Sequence, residues 1–234
     1  MKTVPAVPAQ RPAVARSGAG GFTLFELLAV VALMAAVVAV AATGLRGGGM
    51  GAARDAAVAL LGSRVAAARQ LATARGEPAR LLIHADPADP ERYLRYVVVV
   101  VPDGEGWRAH DGGSFLPGRV IVLPPDGLAT SGPGAVRLAS DDWSRPSGGV
   151  LRSTALRTYA SSGGGPAVLG TTLWWVVHFS PNGGALGGDL VVANGRRLDA
   201  TIPVTVVGED PDAVAGLALS SYGVPTFLRN RAEF

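Results

Sequence analysis

The sequence predicts an α+β protein: a hydrophobic N-terminal helix, then an amphipathic helix packed on antiparallel β-sheets. Three observations carry that expectation. Residues 22–43 form an apolar run whose one charge is Glu26, and apolar residues recur at helical spacing from Val58 to Ala72. Beyond Pro78 the chain turns to short runs rich in Val, Ile, Leu and Tyr, punctuated by Gly, Pro, Asn and Asp.

The first 20 residues are rich in Pro and Ala, with Pro5, Pro8 and Pro12 spaced so that no helix persists. The apolar run that follows is long enough to cross a hydrocarbon core, which needs roughly 20 helical residues. Glu26 is its awkward member, because a lone carboxylate in lipid costs about 2.5 kcal/mol or more and calls for a partner. A cut between Gly21 and Phe22 would supply one. The new amine would lie one helical turn before Glu26, on the same face.

The stretch Gly21-Phe22-Thr23-Leu24-Phe25-Glu26, with its apolar helix, resembles the N-terminal signature of type IV pilins and pseudopilins. The resemblance implies cleavage by a prepilin peptidase after Gly21 and N-methylation at Phe22. It also implies that Glu26 pairs with the terminal amine of a neighbouring subunit during filament assembly. Phe25 stands where family members commonly carry Ile or Leu. A plain signal anchor, or a signal peptide cut near Ala39-Val40-Ala41, shares the hydropathy but leaves Glu26 unexplained.

Charge follows the same division. The formal net charge is +3, and Lys2, Arg11 and Arg16 all precede Phe22; beyond Gly21 the 18 remaining basic residues balance the 18 acidic ones. Basicity therefore belongs to the leader, where positive residues stay cytoplasmic and direct the rest of the chain across the inner membrane. With no cysteine, disulfides, thiol nucleophiles and thiolate metal sites are excluded.

Residues 44–51 hold five glycines, each costing about 1 kcal/mol in a helix relative to alanine, so a weak or broken helix is expected there. Residues 52–75 resume a helix with Val58, Leu61, Val65, Ala68 and Ala72 along one face, Arg64 near its edge and Gly76 as its stop. Residues 79–85 and 93–101 read as a hairpin across the turn at 86–90. Residues 107–110 and 118–123 read as further short strands. Residues 126–172 read as a decorated insertion with two short strands, at 135–139 and 150–157. Residues 173–179 alternate Leu173, Trp175, Val177 and Phe179 with Trp174, Val176 and His178, as in a strand buried on both faces. Asn194-Gly195 predicts a hairpin between 189–193 and 197–207, and Tyr222-Gly223 a turn between 217–220 and 224–228.

A narrower resemblance rests on Ala66-Ala67-Ala68-Arg69-Gln70-Leu71-Ala72, Val177-His178-Phe179-Ser180-Pro181-Asn182-Gly183 and Leu219-Ser220-Ser221-Tyr222-Gly223-Val224. These stretches are similar to the minor pseudopilin family typified by GspH of type II secretion and FimT of type IV pili. That family folds as an N-terminal helix on antiparallel sheets and works at or near filament tips.

The residues suggest no enzyme and no cofactor. His84, His110 and His178 are scattered, without a metal-ligand spacing or a nucleophile motif, and Lys2 as the single lysine excludes a Walker-type phosphate loop. Asp86, Asp89 and Glu91, and again Glu209, Asp210 and Asp212, could offer oxygen to Ca²⁺ but lack EF-hand alternation. Arg229 and Arg231, with Arg196-Arg197, are the candidates for nucleic-acid contact, disfavoured by the neutral charge balance beyond the leader.

The expected molecule has a leader at 1–21, a transmembrane and filament-core helix at 22–43, a glycine-rich hinge at 44–51 and a periplasmic domain at 52–234. Its expected partners are prepilin peptidase, other pilins or pseudopilins, an inner-membrane assembly platform and lipid. Two alternatives stay open, a DNA-uptake minor pilin and a soluble periplasmic binding domain freed by signal peptidase.

Overall fold

The computed structural model describes residues 24–104, 106–125, 136–138, 143–159, 172–197 and 206–234. The side chains of residue 26 and of residues 38–48 lie outside that description. The chain divides into two compact units, Met1–Leu45 and Arg46–Phe234. One helix, α1, spans Leu24–Arg75 and contributes to both.

The backbone of α1 is helical across residues 44–51, so the expected break is not observed. Glycine lowers helix stability without removing a hydrogen bond. With no proline in the stretch, the ladder propagates from good helix formers on either side. The helix stops where expected, at Arg75, with Gly76 at φ +62°, a conformation that costs glycine nothing.

In the second unit the stripe of α1 works as its spacing predicts. Val58, Leu61, Val65, Ala68 and Ala72 are all buried, with Leu60 and Leu71 packed at the margin. A buried Leu or Val contributes about 2 kcal/mol relative to exposure. Arg64, at the stripe's edge, donates from its guanidinium to Asp111 and Ser114 and ties the helix to the sheet margin.

Two six-stranded sheets receive this helix. The first is ordered β3-β2-β1-β8-β7. Its strands are β1 (Ala79–His84), β2 (Tyr96–Asp103), β3 (Gly106–Ala109), β7 (Arg157–Tyr159) and β8 (Trp174–Phe179), with β4 (Ser114–Phe115) on the flank of β2. The second is ordered β12-β11-β9-β10-β6. Its strands are β6 (Val136–Leu138), β9 (Gly188–Arg197), β10 (Val206–Gly208), β11 (Val214–Leu219) and β12 (Pro225–Leu228), with β5 (Val120–Val122) on β9. Among the described residues all pairings are antiparallel except β6 with β10, which are parallel at Val136 and Val206.

Strand alternation builds three hydrophobic layers. Leu81, Ile83, Val97, Val99, Val177 and Phe179 of the first sheet, and Leu190, Val192, Ala215 and Leu217 of the second, meet the helix in one core. Their neighbours face away from it. Leu82, Val98, Val100, Trp174 and Val176 form a second cluster, and Ile121, Val191, Ala193, Val206 and Val214 a third.

Several expectations change. Asn194-Gly195 is not a turn: both residues lie inside β9, Asn194 is buried, and Gly195 pairs with Gly208. A Cβ on Gly195 would come within 2.9 Å of Ile121 and 3.1 Å of Val206, so glycine serves close packing there. Residues 151–156 form no strand; Val150 makes a single bridge to Ser144, and Arg157 opens β7. Instead the chain from Trp143 to Leu156 is stitched to β9: Arg145 pairs with Asp189 at 2.9 Å, and the Val191 N–H donates to Ser153 Oγ at 2.9 Å. Trp143, Leu151 and Leu156 are buried, so this part of the expected insertion is core. Strand β8 is buried on both faces only in its middle, since Leu173 and His178 are exposed.

Candidate functional site

The N-terminal part of α1 is rich in Leu, Val, Ala and Met, which favour or tolerate helix, with neither Gly nor Pro between Leu24 and Ala42. Its large side chains are exposed in every direction: Leu24, Phe25, Leu27, Leu28, Val30, Val31, Leu33, Met34 and Val37. A helix that is apolar all round needs an apolar environment, whether lipid or other helices. Among the described residues no helix is long and apolar enough to cross a membrane. The expected span of 22–43 lies partly beyond them, for Phe22, Thr23 and the side chains of Glu26 and of residues 38–43 are outside the description, as is Gly21 before it.

The histidines do not converge on a reaction centre. His84 ends β1, buried against the edge of Trp174 with ring centroids 4.9 Å apart, and its Nδ1 has no hydrogen-bond partner among the described residues. His178 lies on the exposed side of β8, and His110 follows β3. Burial lowers the pKa of His84, opposed by Asp89 and Asp86; burial and then the Arg80 charge lower that of His178.

Both folded-state pKa values thus lie below the ordinary imidazole value, so the unfolded chain takes up protons first as pH falls through about 6.5. Stability is fully present above that pH and falls as pH drops towards the folded-state values. His84 contributes a slope of at most about 1.4 kcal/mol per pH unit. Urea midpoints at pH 7 and 5.5 should show the loss, and His84→Gln should flatten part of it. An unchanged pH dependence in that variant would remove His84 as its source.

The acidic clusters are occupied in turns. Asp86 accepts from Ala88 N at 2.9 Å, Asp89 from Arg92 N at 3.2 Å, and Asp210 from Asp212 N at 2.9 Å. No group of three metal-ligating side chains occurs among the described residues.

The arginines near the C-terminus separate into two roles. Arg231 Nη1 is 3.4 Å from Asp212 Oδ1 and its Nη2 donates to Ser144 Oγ at 3.4 Å, so it fastens the last residues to two neighbouring segments. Asn230 caps the 3₁₀ turn Arg231–Glu233 by accepting from Ala232 N. Arg229 is exposed beside the groove formed by Asp55, Val58 and Phe227. Arg196 and Arg197 lie elsewhere, on a cleft of about 560 Å³ that also takes Arg95 and Arg119. Tyr93 lines the same cleft, and burial pushes its hydroxyl up to about 12, which keeps it neutral. Arg95 and Arg119 carry no local mark in the sequence because neither is adjacent to another arginine. Only the fold brings them to Arg196 and Arg197.

No protein-family model, curated protein or solved structure matches this chain.

Proposed function

We propose that this chain is a minor pseudopilin or pilin, a non-enzymatic subunit of a type II secretion pseudopilus or a type IV pilus. It is cut between Gly21 and Phe22, methylated at Phe22, and held in the inner membrane by residues 22–43 with its β-rich domain in the periplasm. A membrane platform then extrudes it into a filament, which it helps initiate or cap. The observation that carries this reading is the pairing of the Gly21-Phe22 to Glu26 signature with a helix whose residues 24–37 expose large apolar side chains all round. In the filament those side chains bundle with neighbouring helices, and Glu26 meets a neighbour's terminal amine, relieving an otherwise unpaired charge.

The α+β domain, with a helix stripe buried against two sheets, supports the same reading at the level of fold class. The test is the intact mass and N-terminal sequence of the protein recovered from membranes of its host. The expected chain begins at methylated Phe22. A chain beginning near Ala42 would mean release of a free domain and would overturn the filament reading.

A further inference from the structure

The cleft lined by Arg95, Arg119, Arg196 and Arg197 brings four arginines beside two carboxylates. Glu91 lies on its wall, and Glu209 is 3.8 Å from Arg196 Nε. Arg95 is held from behind, donating from Nη2 to the carbonyls of Leu116 and Gly118 at 3.3 and 2.8 Å. The side chains of Arg119 and Arg197 have no hydrogen-bond or ion-pair partner among the described residues. Like charges gathered in a concave site repel one another and focus a positive potential, which an anion relieves.

Backbone geometry adds a second feature at the same place. Strand β9 is flanked by β10 along Gly195 to Arg197 on one side. On the other, its pairing with β5 ends at Asn194 opposite Val120, followed by the Gly195 N–H donating to the Arg119 carbonyl at 2.8 Å. In an antiparallel strand the backbone groups of alternate residues face the same side. Arg197 is thus the next residue whose N–H and C=O face that side, and no described strand meets them there. Phe115, half exposed, stands on the cleft's rim.

The geometry points to a docking cleft for an extended, carboxylate-bearing segment of a partner protein. The segment continues the β5 side of β9, engages Arg197 through main-chain hydrogen bonds, places acidic side chains on the guanidiniums and sets an apolar side chain against Phe115. Peptide rather than nucleic acid is favoured by the charge arrangement. Beyond Gly21 the chain's charges balance, so no broad positive field attracts a polyphosphate backbone. A uniformly charged backbone would also meet Glu91, whereas a peptide can set a neutral residue there. The inference is independent of the filament reading, because it concerns only the folded domain.

The test uses the full chain in neutral detergent and a short fluorescent peptide alternating Glu and Val, followed by anisotropy. Binding is expected at about 50 mM salt, with roughly tenfold loss at about 300 mM, where exposed charges are screened. The matched peptide with Gln for Glu should bind at least tenfold more weakly. The double variant Arg119→Gln, Arg197→Gln should lose at least tenfold in affinity at an unchanged melting temperature, since neither side chain has a partner to lose among the described residues. No binding at low salt, equal binding of the Gln peptide, or a folded double variant that binds like the parent would overturn the proposal. Tighter binding of an oligothymidylate through the same arginines would overturn it in favour of nucleic acid. The salt and Gln-peptide comparisons decide the matter even if the double variant melts early.

Discussion

If the chain assembles as proposed, Glu26→Ala is expected to abolish filament assembly while leaving the β-rich domain folded and membrane insertion intact. Removing a carboxylate from an apolar helix lowers the cost of burying that helix in lipid, so insertion should not suffer. The domain core draws its helical residues from Ala57 to Ala72. Assembly should respond differently, because the neighbour's buried amine would lose its counter-charge. Breaking a buried pair from one side costs about 3 kcal/mol or more, roughly a hundredfold in an association constant. Cross-linking of subunits in host membranes, with melting of the domain as a control, reads both effects. Normal assembly in the variant would remove the pairing argument.

Trp143→Ala is expected to destabilise the domain by about 3–5 kcal/mol, the usual range for deleting a large buried aromatic side chain. For a domain of this size that corresponds to a fall in melting temperature on the order of 10 °C. Trp143 is 1% exposed and packs in the cluster with Leu151, Val191, Val206 and Val214. Its indole N–H has no hydrogen-bond partner among the described residues, so the loss is one of packing. Trp143→Phe, which keeps most of the volume and removes the unpaired donor, should cost less than about 1.5 kcal/mol. Parent-like melting of the alanine variant would make residues 143–156 a dressing on the domain.

Local pattern was legible wherever burial had one direction. The stripe from Val58 to Ala72 was read correctly because a helix packed on sheets buries one face at a 3.6-residue period. Strands β1, β2, β8, β11 and β12 emerged from apolar runs bounded by turn residues, within a residue or three of their ends. Asn194-Gly195 misled because the same dipeptide that favours a tight turn also suits a crowded strand, and nothing local tells one from the other. The glycines at 44–51 do not interrupt the helical backbone, because propensity is a weak prior against helix on both sides.

By itself, then, the sequence determined the α+β class, the helix and its buried face, most strands, and the Gly21, Phe22 and Glu26 signature on which the functional reading rests. Each is written in neighbouring residues, where spacing and side-chain type suffice. Tertiary structure alone decided that β1 lies between β2 and β8, which pairs Leu81 with Val177 across nearly a hundred residues of chain. It alone brought Trp143 into the core and joined Arg95 and Arg119 to Arg196 and Arg197. Those outcomes depend on which faces find complementary partners at a distance, and residues far apart in the chain carry no local mark of that meeting.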